Sequence, residues 1–251
     1  MLSIVRPAPQ VVDSGALHAI AHVRGGGERG ARWHAAGARE AKAASSRDLV
    51  ACARQLVRSG LARPDAVAIE GRSAGGLLVG AAANSAPELF RAVLASVPFL
   101  DVAGTLQDAT LPLTANEWEE FGNPNEQGAH AALLALSPVH GVPRGSGRYP
   151  RCLLLPALND ARTGFWEALK FADAVRRRRG SGGGDQETEV GALGAEVEGA
   201  REEKVQVLVS TDLEGGHFRS GDPRQRAEQR AFELGFVLDA LGVECEDDTV
   251  Q

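Results

Sequence analysis

The stretch Gly71-Arg72-Ser73-Ala74-Gly75 sets a serine between two glycines. An apolar run, Ala66-Val67-Ala68-Ile69, precedes it, and a small-residue run, Leu77-Leu78-Val79-Gly80-Ala81-Ala82-Ala83, follows it. As a buried strand, a sharp corner and a buried helix, this pattern pushes the Ser73 side chain out of the backbone into a cleft. Gly71 and Gly75 are expected at the corner because a β-carbon there would clash. A serine so exposed is suited to nucleophilic attack on an acyl group. Its hydroxyl is weakly nucleophilic at neutral pH, so it needs an imidazole to take its proton. The imidazole in turn needs a carboxylate to fix its tautomer.

Both partners lie downstream, each a short loop after an apolar run of strand type. Asn159-Asp160 follows Cys152-Leu153-Leu154-Leu155, and Gly215-Gly216-His217 follows Val205-Gln206-Val207-Leu208-Val209. Of six histidines, His217 alone is downstream of both Ser73 and Asp160. The order nucleophile, acid, base, each at a strand end, makes His217 the general base and Asp160 its orienter. Asp101 also follows a strand pattern, Ala92 to Val97 closed by Pro98, and is the weaker candidate for the acid.

These residues need a scaffold, and the apolar periodicity supplies one. Leu17 to Val23 reads as a strand ending in the turn Gly25-Gly26-Gly27. Arg47 to Arg58 reads as a helix, with Leu49, Cys52, Ala53, Leu56 and Val57 on one face. Residues 101–150 read as loop with short helices, residues 163–179 as a helix, and Glu228 to Leu241 as the last helix. The alternation implies an α/β fold, a mainly parallel sheet with helices on both faces. The domain is expected over 15–243, after an irregular segment 1–14. A Gly- and Glu-rich stretch, 180–204, reads as a disordered insertion, and 244–251 as a flexible tail. Gly25-x-Gly27-x-x-Gly30 fits a dinucleotide-binding pattern in outline. The acid at the right distance, Asp48, falls in a helical pattern, so a tight turn beside the cleft is the better reading.

The chain has 251 residues, is 43% apolar and carries a net charge of −6. That is enough for one sizeable core, and the charge does not suggest a nucleic-acid surface. Three cysteines, Cys52, Cys152 and Cys245, fit neither a zinc site nor a disulfide framework, so a reduced, cytoplasmic setting is expected. No apolar stretch is long enough for a signal peptide or a membrane span. No metal or cofactor is expected.

From His22 onward the motifs accumulate: His22-Val23-Arg24-Gly25-Gly26-Gly27-Glu28, Glu70-Gly71-Arg72-Ser73-Ala74-Gly75-Gly76-Leu77-Leu78 and Val97-Pro98-Phe99-Leu100-Asp101-Val102. Glu117-Trp118-Glu119-Glu120-Phe121-Gly122-Asn123-Pro124 and Gly215-Gly216-His217 complete the set. Together they resemble the catalytic α/β-hydrolase domain of the prolyl oligopeptidase family of serine peptidases, most of all its oligopeptidase B branch. The resemblance implies Ser73 as nucleophile, Asp160 as orienter, His217 as base and the Ala74 N–H as an oxyanion donor. It also implies that Arg162 holds the substrate backbone and that Glu117 and Glu119 receive a basic side chain. Paired carboxylates suit a guanidinium. The substrates implied are short peptides cleaved after Arg or Lys.

Family members carry a β-propeller before this domain. They also carry a strand, and a loop whose tyrosine is the second oxyanion donor, ahead of the segment equivalent to Leu17–Val23. The one tyrosine here is Tyr149. The chain is therefore expected to be N-terminally truncated and to lack the propeller. Either Leu17–Val23 shifts to pair with Ala66–Ile69, or an open sheet edge remains, a route to self-association. Two alternatives follow: an esterase or acyl-peptide hydrolase of the same fold, and an inactive remnant that acts as a binding or partner-dependent domain.

Overall fold

Short apolar runs separated by amphipathic segments give strands joined by helical crossovers. The computed structural model describes residues 9–112, 114–145, 147–178 and 207–243. Its elements, in chain order, are α1 (Pro9–Asp13), α2 (Ala31–Ala35), α3 (Ala43–Arg58), β1 (Ala68–Arg72), α4 (Ala74–Ser85) and β2 (Ala92–Ser96). They continue with α5 (Val102–Thr105), α6 (Thr114–Phe121), α7 (Ala129–Leu136), β3 (Arg151–Leu155), α8 (Phe165–Arg177), β4 (Val207–Val209) and α9 (Pro223–Leu241).

The strands form a parallel sheet in the order β1-β2-β3-β4. The register sets Arg72 beside Ser96 and Ser96 beside Leu155, so the strands end level. Side chains alternate between the faces, as the two-residue period of a strand requires. Ile69, Val93, Ala95, Cys152 and Leu154 meet Val79, Ala82 and Ala83 of α4 and Ala168, Phe171 and Val175 of α8. Ala92, Leu94, Leu153 and Leu155 meet Phe236 and Ala240 of α9. β2 is buried along its whole length, as expected of a parallel strand covered on both sides. A smaller apolar cluster, with Leu77, Phe99, Val102, Phe121 and Leu133, gathers α5, α6 and α7 beside α4. This is the α/β-hydrolase arrangement, and every crossover returns the chain so that the strand C-termini share one end.

Several expectations are corrected. Leu17–Val23 belongs to no strand, and Leu17 and Ile20 are 57% and 49% exposed. An apolar run becomes a strand only where a neighbouring ladder takes its backbone groups and a layer covers its side chains, and this one has neither among the described residues. Of the two outcomes foreseen, the open edge is the one found: β1 pairs with β2 alone among the described residues. The segment is instead anchored at its end. Arg24 grips Asp48 of α3 through Nε at 2.8 Å and Nη2 at 2.5 Å, which holds the Asp48 carboxyl below its usual range. Gly25 then turns at φ +94°, where an added β-carbon would stand 2.8 Å from the Gly37 carbonyl oxygen. The stretch after it includes the short helix α2, and the segment 1–14, read as irregular, contains the helical turn α1. The insertion 180–204, the tail 244–251 and residues 205–206 of the last strand lie outside the described residues.

Candidate active site

Ser73 sits between the last residue of β1 and the first of α4, at φ 55° and ψ −121°. For a residue with a β-carbon that is a sparsely populated conformation, worth about 1–3 kcal/mol of strain, held only where surroundings enforce it. Here its N–H donates to the Ser96 carbonyl at 3.0 Å, and its carbonyl accepts from Gly76 at 2.8 Å and Phe99 at 3.0 Å. The hydroxyl does not cap α4 and stays free for chemistry. Ala74 opens the helix, where an α-helix cannot use its first N–H groups and its dipole is positive.

The corner's steric rule differs from the sequence reading. A β-carbon on Gly71 would overlap the Gly75 carbonyl, as expected. Gly75 itself has open space around such an atom. The second indispensable glycine is Gly76, whose β-carbon would overlap Pro98. Val97, at the end of β2, is also held at positive φ, 38°. Two strained residues thus stand side by side at the strand ends.

Asp160 follows β3 and His217 follows β4, and the structure brings them together. His217 Nδ1 lies 2.9 Å from Oδ2 and 3.1 Å from Oδ1 of Asp160. An N–H there leaves Nε2 as the basic nitrogen. The Asp160 side chain is wholly buried and that of His217 is 9% exposed. Burial pushes the Asp160 carboxyl up. The N–H groups of Thr163 and Arg162, the His217 ring and the Thr163 hydroxyl outweigh it and hold the carboxyl below its ordinary range. Among the described residues no hydrogen bond joins the Ser73 hydroxyl to His217, a contact that in such sites tightens in the substrate complex.

Thr163 was not singled out from the sequence. Its N–H donates to Asp160 Oδ1 at 3.0 Å, and its hydroxyl lies 2.9 Å from Oδ2 and 3.0 Å from the Val97 carbonyl. An Asp whose carboxylate accepts N–H groups two and three residues on is a recognisable turn pattern, and that was the available signal. Glu167 of α8 was also missed. Fully buried, it accepts from the N–H groups of Leu100 and Asp101 at 2.7 and 2.8 Å and from the Thr105 hydroxyl at 2.8 Å. It fixes the turn that carries Pro98 and Phe99 against the serine corner. Asp101, the weaker candidate for the acid, pairs instead with Lys170 at 2.6 Å and caps α5.

Of the residues assigned to substrate, Arg162 and Glu117 meet and Glu119 stands apart. Arg162 Nη2 stands 3.8 Å from Glu117 Oε1, both partly exposed. Glu119 is exposed, and its backbone carbonyl accepts from Arg39. Residues two apart on a helix do not face each other, so Glu117 and Glu119 form no pair on one face. Glu120 instead binds Lys42 and, at 2.9 Å, His34. Arg72, expected only as a member of the corner, donates to the His217 carbonyl. A cavity of about 170 Å³ is lined by Arg24, Gly25, Lys42, Ala74, Gly75 and Leu77 among others, with none of Ser73, Asp160 and His217 in its wall. Among the described residues no cluster of His, Cys, Asp or Glu could hold a metal, and no helix is long and apolar enough to cross a membrane.

Residues 5–244 match the prolyl oligopeptidase family. Dipeptidyl aminopeptidase BI of Pseudoxanthomonas mexicana is 37% identical over 234 residues, covering 93% of this chain and 29% of that protein. The structure of oligopeptidase B from Leishmania major has a TM-score of 0.76 at 35% identity, covering 88% of this chain and 28% of that one. Oligopeptidase B from Trypanosoma brucei, in a closed form with covalently bound antipain, has a TM-score of 0.75 at 38% identity, covering 89% and 28%. The chain therefore spans less than a third of the length of these relatives.

Two measurements check this geometry. Gly76→Ala is expected to lower unfolding free energy by about 1–3 kcal/mol through the clash with Pro98, whereas Gly75→Ala stays within about 0.5 kcal/mol, read from urea melts. Asp160→Asn is expected to lower stability at neutral pH by about 2 kcal/mol. The Asp160 pKa is depressed on folding, so its contribution is present above the unfolded value of about 3.9 and lost as pH falls through the lower folded value. The gap in melting temperature between parent and variant therefore narrows below about pH 4.

Proposed function

The chain belongs to the prolyl oligopeptidase family, and from that premise we propose that it cleaves short peptides by serine-based acyl transfer, after Arg or Lys. The observation that carries this reading is the buried Asp160–His217 pair at the strand ends, beside a serine strained out of its backbone.

In the proposed reaction His217 Nε2 takes the proton of the Ser73 hydroxyl as Oγ attacks the scissile carbonyl. Asp160 holds the ring in the required tautomer and stabilises the imidazolium that forms. The negative charge on the carbonyl oxygen meets the Ala74 N–H and the positive end of α4, where a preorganised donor in a water-poor site counts most. The tetrahedral adduct collapses, the C–N bond breaks, and His217 gives its proton to the departing amine. Water then repeats the sequence on the acyl-enzyme with the same base, releasing the acid and free Ser73.

For specificity we assign Glu117 as the first carboxylate met by a basic side chain. Its contact with Arg162 is long and partly solvated, so it is weak. A substrate guanidinium can take the carboxylate while Arg162 turns to a substrate carbonyl. Glu119 is proposed as a secondary contributor, because it does not share the face of Glu117. A second reading, ester or acyl-peptide hydrolysis, is favoured by one observation. Tyr149, the one tyrosine, is buried and donates to Asn84 at 2.6 Å, so it supplies no oxyanion donor. Where the Ala74 N–H acts without a second donor, turnover falls by about 10²–10³. Esters, with better leaving groups, withstand that loss more easily than amides.

The test is kcat/KM for matched peptide amides and esters with Arg or Leu at the cleaved position. Glu117→Gln is expected to lower the value for Arg about ten- to hundredfold and to leave Leu unchanged. Ser73→Ala should remove all turnover. Activity that survives Ser73→Ala, or none in the folded parent, contradicts the proposal. Esters cleaved with amides untouched would favour the second reading.

A further inference from the structure

We infer that Glu233 is a positioning residue, whose buried carboxylate ties the loop bearing His217 to the strand bearing Ser73. The inference rests on the roles proposed above for those two residues. Glu233 lies on α9, and its side chain is wholly buried. Arg219 Nη2 reaches its oxygens at 3.0 and 3.2 Å, and Arg230 Nη1 reaches Oε2 at 2.9 Å. The same Arg230 nitrogen also reaches Glu70 at 2.9 and 3.1 Å. Glu70 is three residues before Ser73 on β1, and Arg219 is two residues after His217. A continuous chain of charged side chains, Glu70, Arg230, Glu233 and Arg219, therefore joins the nucleophile's strand to the base's loop. Arg72, on the other side of Gly71, adds a second tie through the His217 carbonyl.

The arrangement sets the Glu233 carboxyl between two guanidinium groups. Burial and the neighbouring Arg219 hold the Arg72 pKa below its usual value, and Asp160 and Glu233 oppose them only in part. Glu233 lies buried between the guanidinium groups of Arg219 and Arg230. Buried ion pairs contribute little to net stability, because desolvation offsets their attraction, but they fix geometry firmly. That separates this cluster from the apolar contacts of α9, which Phe236 and Ala240 already make with the sheet. Arg230 and Glu233, three apart on one helix, share a face, so α9 offers both groups to the site from one rigid element.

The experiment compares the 251-residue parent with Glu233→Gln, Glu233→Asp and Arg219→Gln. Two readouts are used: amide hydrogen exchange, and the rate constant for inactivation by a fluorophosphonate. In Glu233→Gln, peptides spanning 212–219 are expected to exchange at least about tenfold faster while those spanning 151–155 keep the parent rate. Inactivation should slow about ten- to hundredfold, as displacements near 1 Å do at such sites. Glu233→Asp, which keeps the charge, should recover part of both. If Glu233→Gln does not fold, Arg219→Gln, which cuts the tie from its exposed end, is expected to show the same loop-specific exchange and slowed inactivation. Arg219→Gln or folded Glu233→Gln with parental exchange over 212–219 overturns the inference. Uniformly faster exchange, sheet included, also overturns it, because the role would then be stability alone. A parent that the fluorophosphonate does not modify contradicts the proposed chemistry instead, and the exchange data still decide the tie.

Discussion

The conformation of Ser73 is the constraint on which the rest of the site depends. A residue with a β-carbon at φ 55° cannot hold that geometry alone, so the neighbouring strand and turn must impose it. They do so through backbone. Ser96 of β2 takes the Ser73 N–H, Phe99 in the following turn binds the Ser73 carbonyl, and Gly71 and Gly76 remove the β-carbons that would force the corner open. Level strand ends make these contacts possible. A shift of one residue in the β1–β2 register would take Ser96 away from the corner.

Buried carboxylates carry much of the remaining organisation. Asp160 gathers the N–H groups of its own turn and the His217 ring, Glu167 gathers those of Leu100 and Asp101, and Glu233 gathers two arginines. Each sits near the strand C-termini, where loops meet and backbone donors lack helical or sheet partners. Burying a carboxylate without partners would be costly, so each demands several donors, and these tie its own element to a neighbouring one. The loops are thereby fixed to one another. Apolar contacts, which lack direction, hold the layers together but could not set the angle of an imidazole.

Much of this was legible in the sequence. Gly71-x-Ser73 between an apolar run and a small-residue run gave the corner, and strand-end positions gave Asp160 and His217, because both patterns follow from local geometry. The Gly75 role was misread, since Gly75 and Gly76 are adjacent and only the packing of Pro98 on α4 distinguishes them. Leu17–Val23 had the composition of a strand, but composition does not supply a neighbour for its backbone. Glu117 and Glu119 were matched to a basic side chain only through the family resemblance, and on α6 residues two apart do not share a face. Glu167 and Glu233 were invisible because a glutamate in an amphipathic helix is ordinarily solvated. The partners of Glu167 are 62 or more residues away, and Glu233 has one partner, Arg230, on its own helix and the other, Arg219, in a neighbouring loop. Of the domain limits, those near residues 180–204 and 244–251 fall outside the described residues.

The central claim is that Ser73 is made reactive by the Asp160–His217 pair. It is tested most directly by treating the folded chain with a fluorophosphonate and locating the adduct by peptide mass spectrometry, alongside His217→Ala. The account predicts a single adduct on the peptide containing Ser73 in the parent and none, on the same timescale, in His217→Ala. A folded parent without the adduct, or equal modification of Ser73 in His217→Ala, would contradict it.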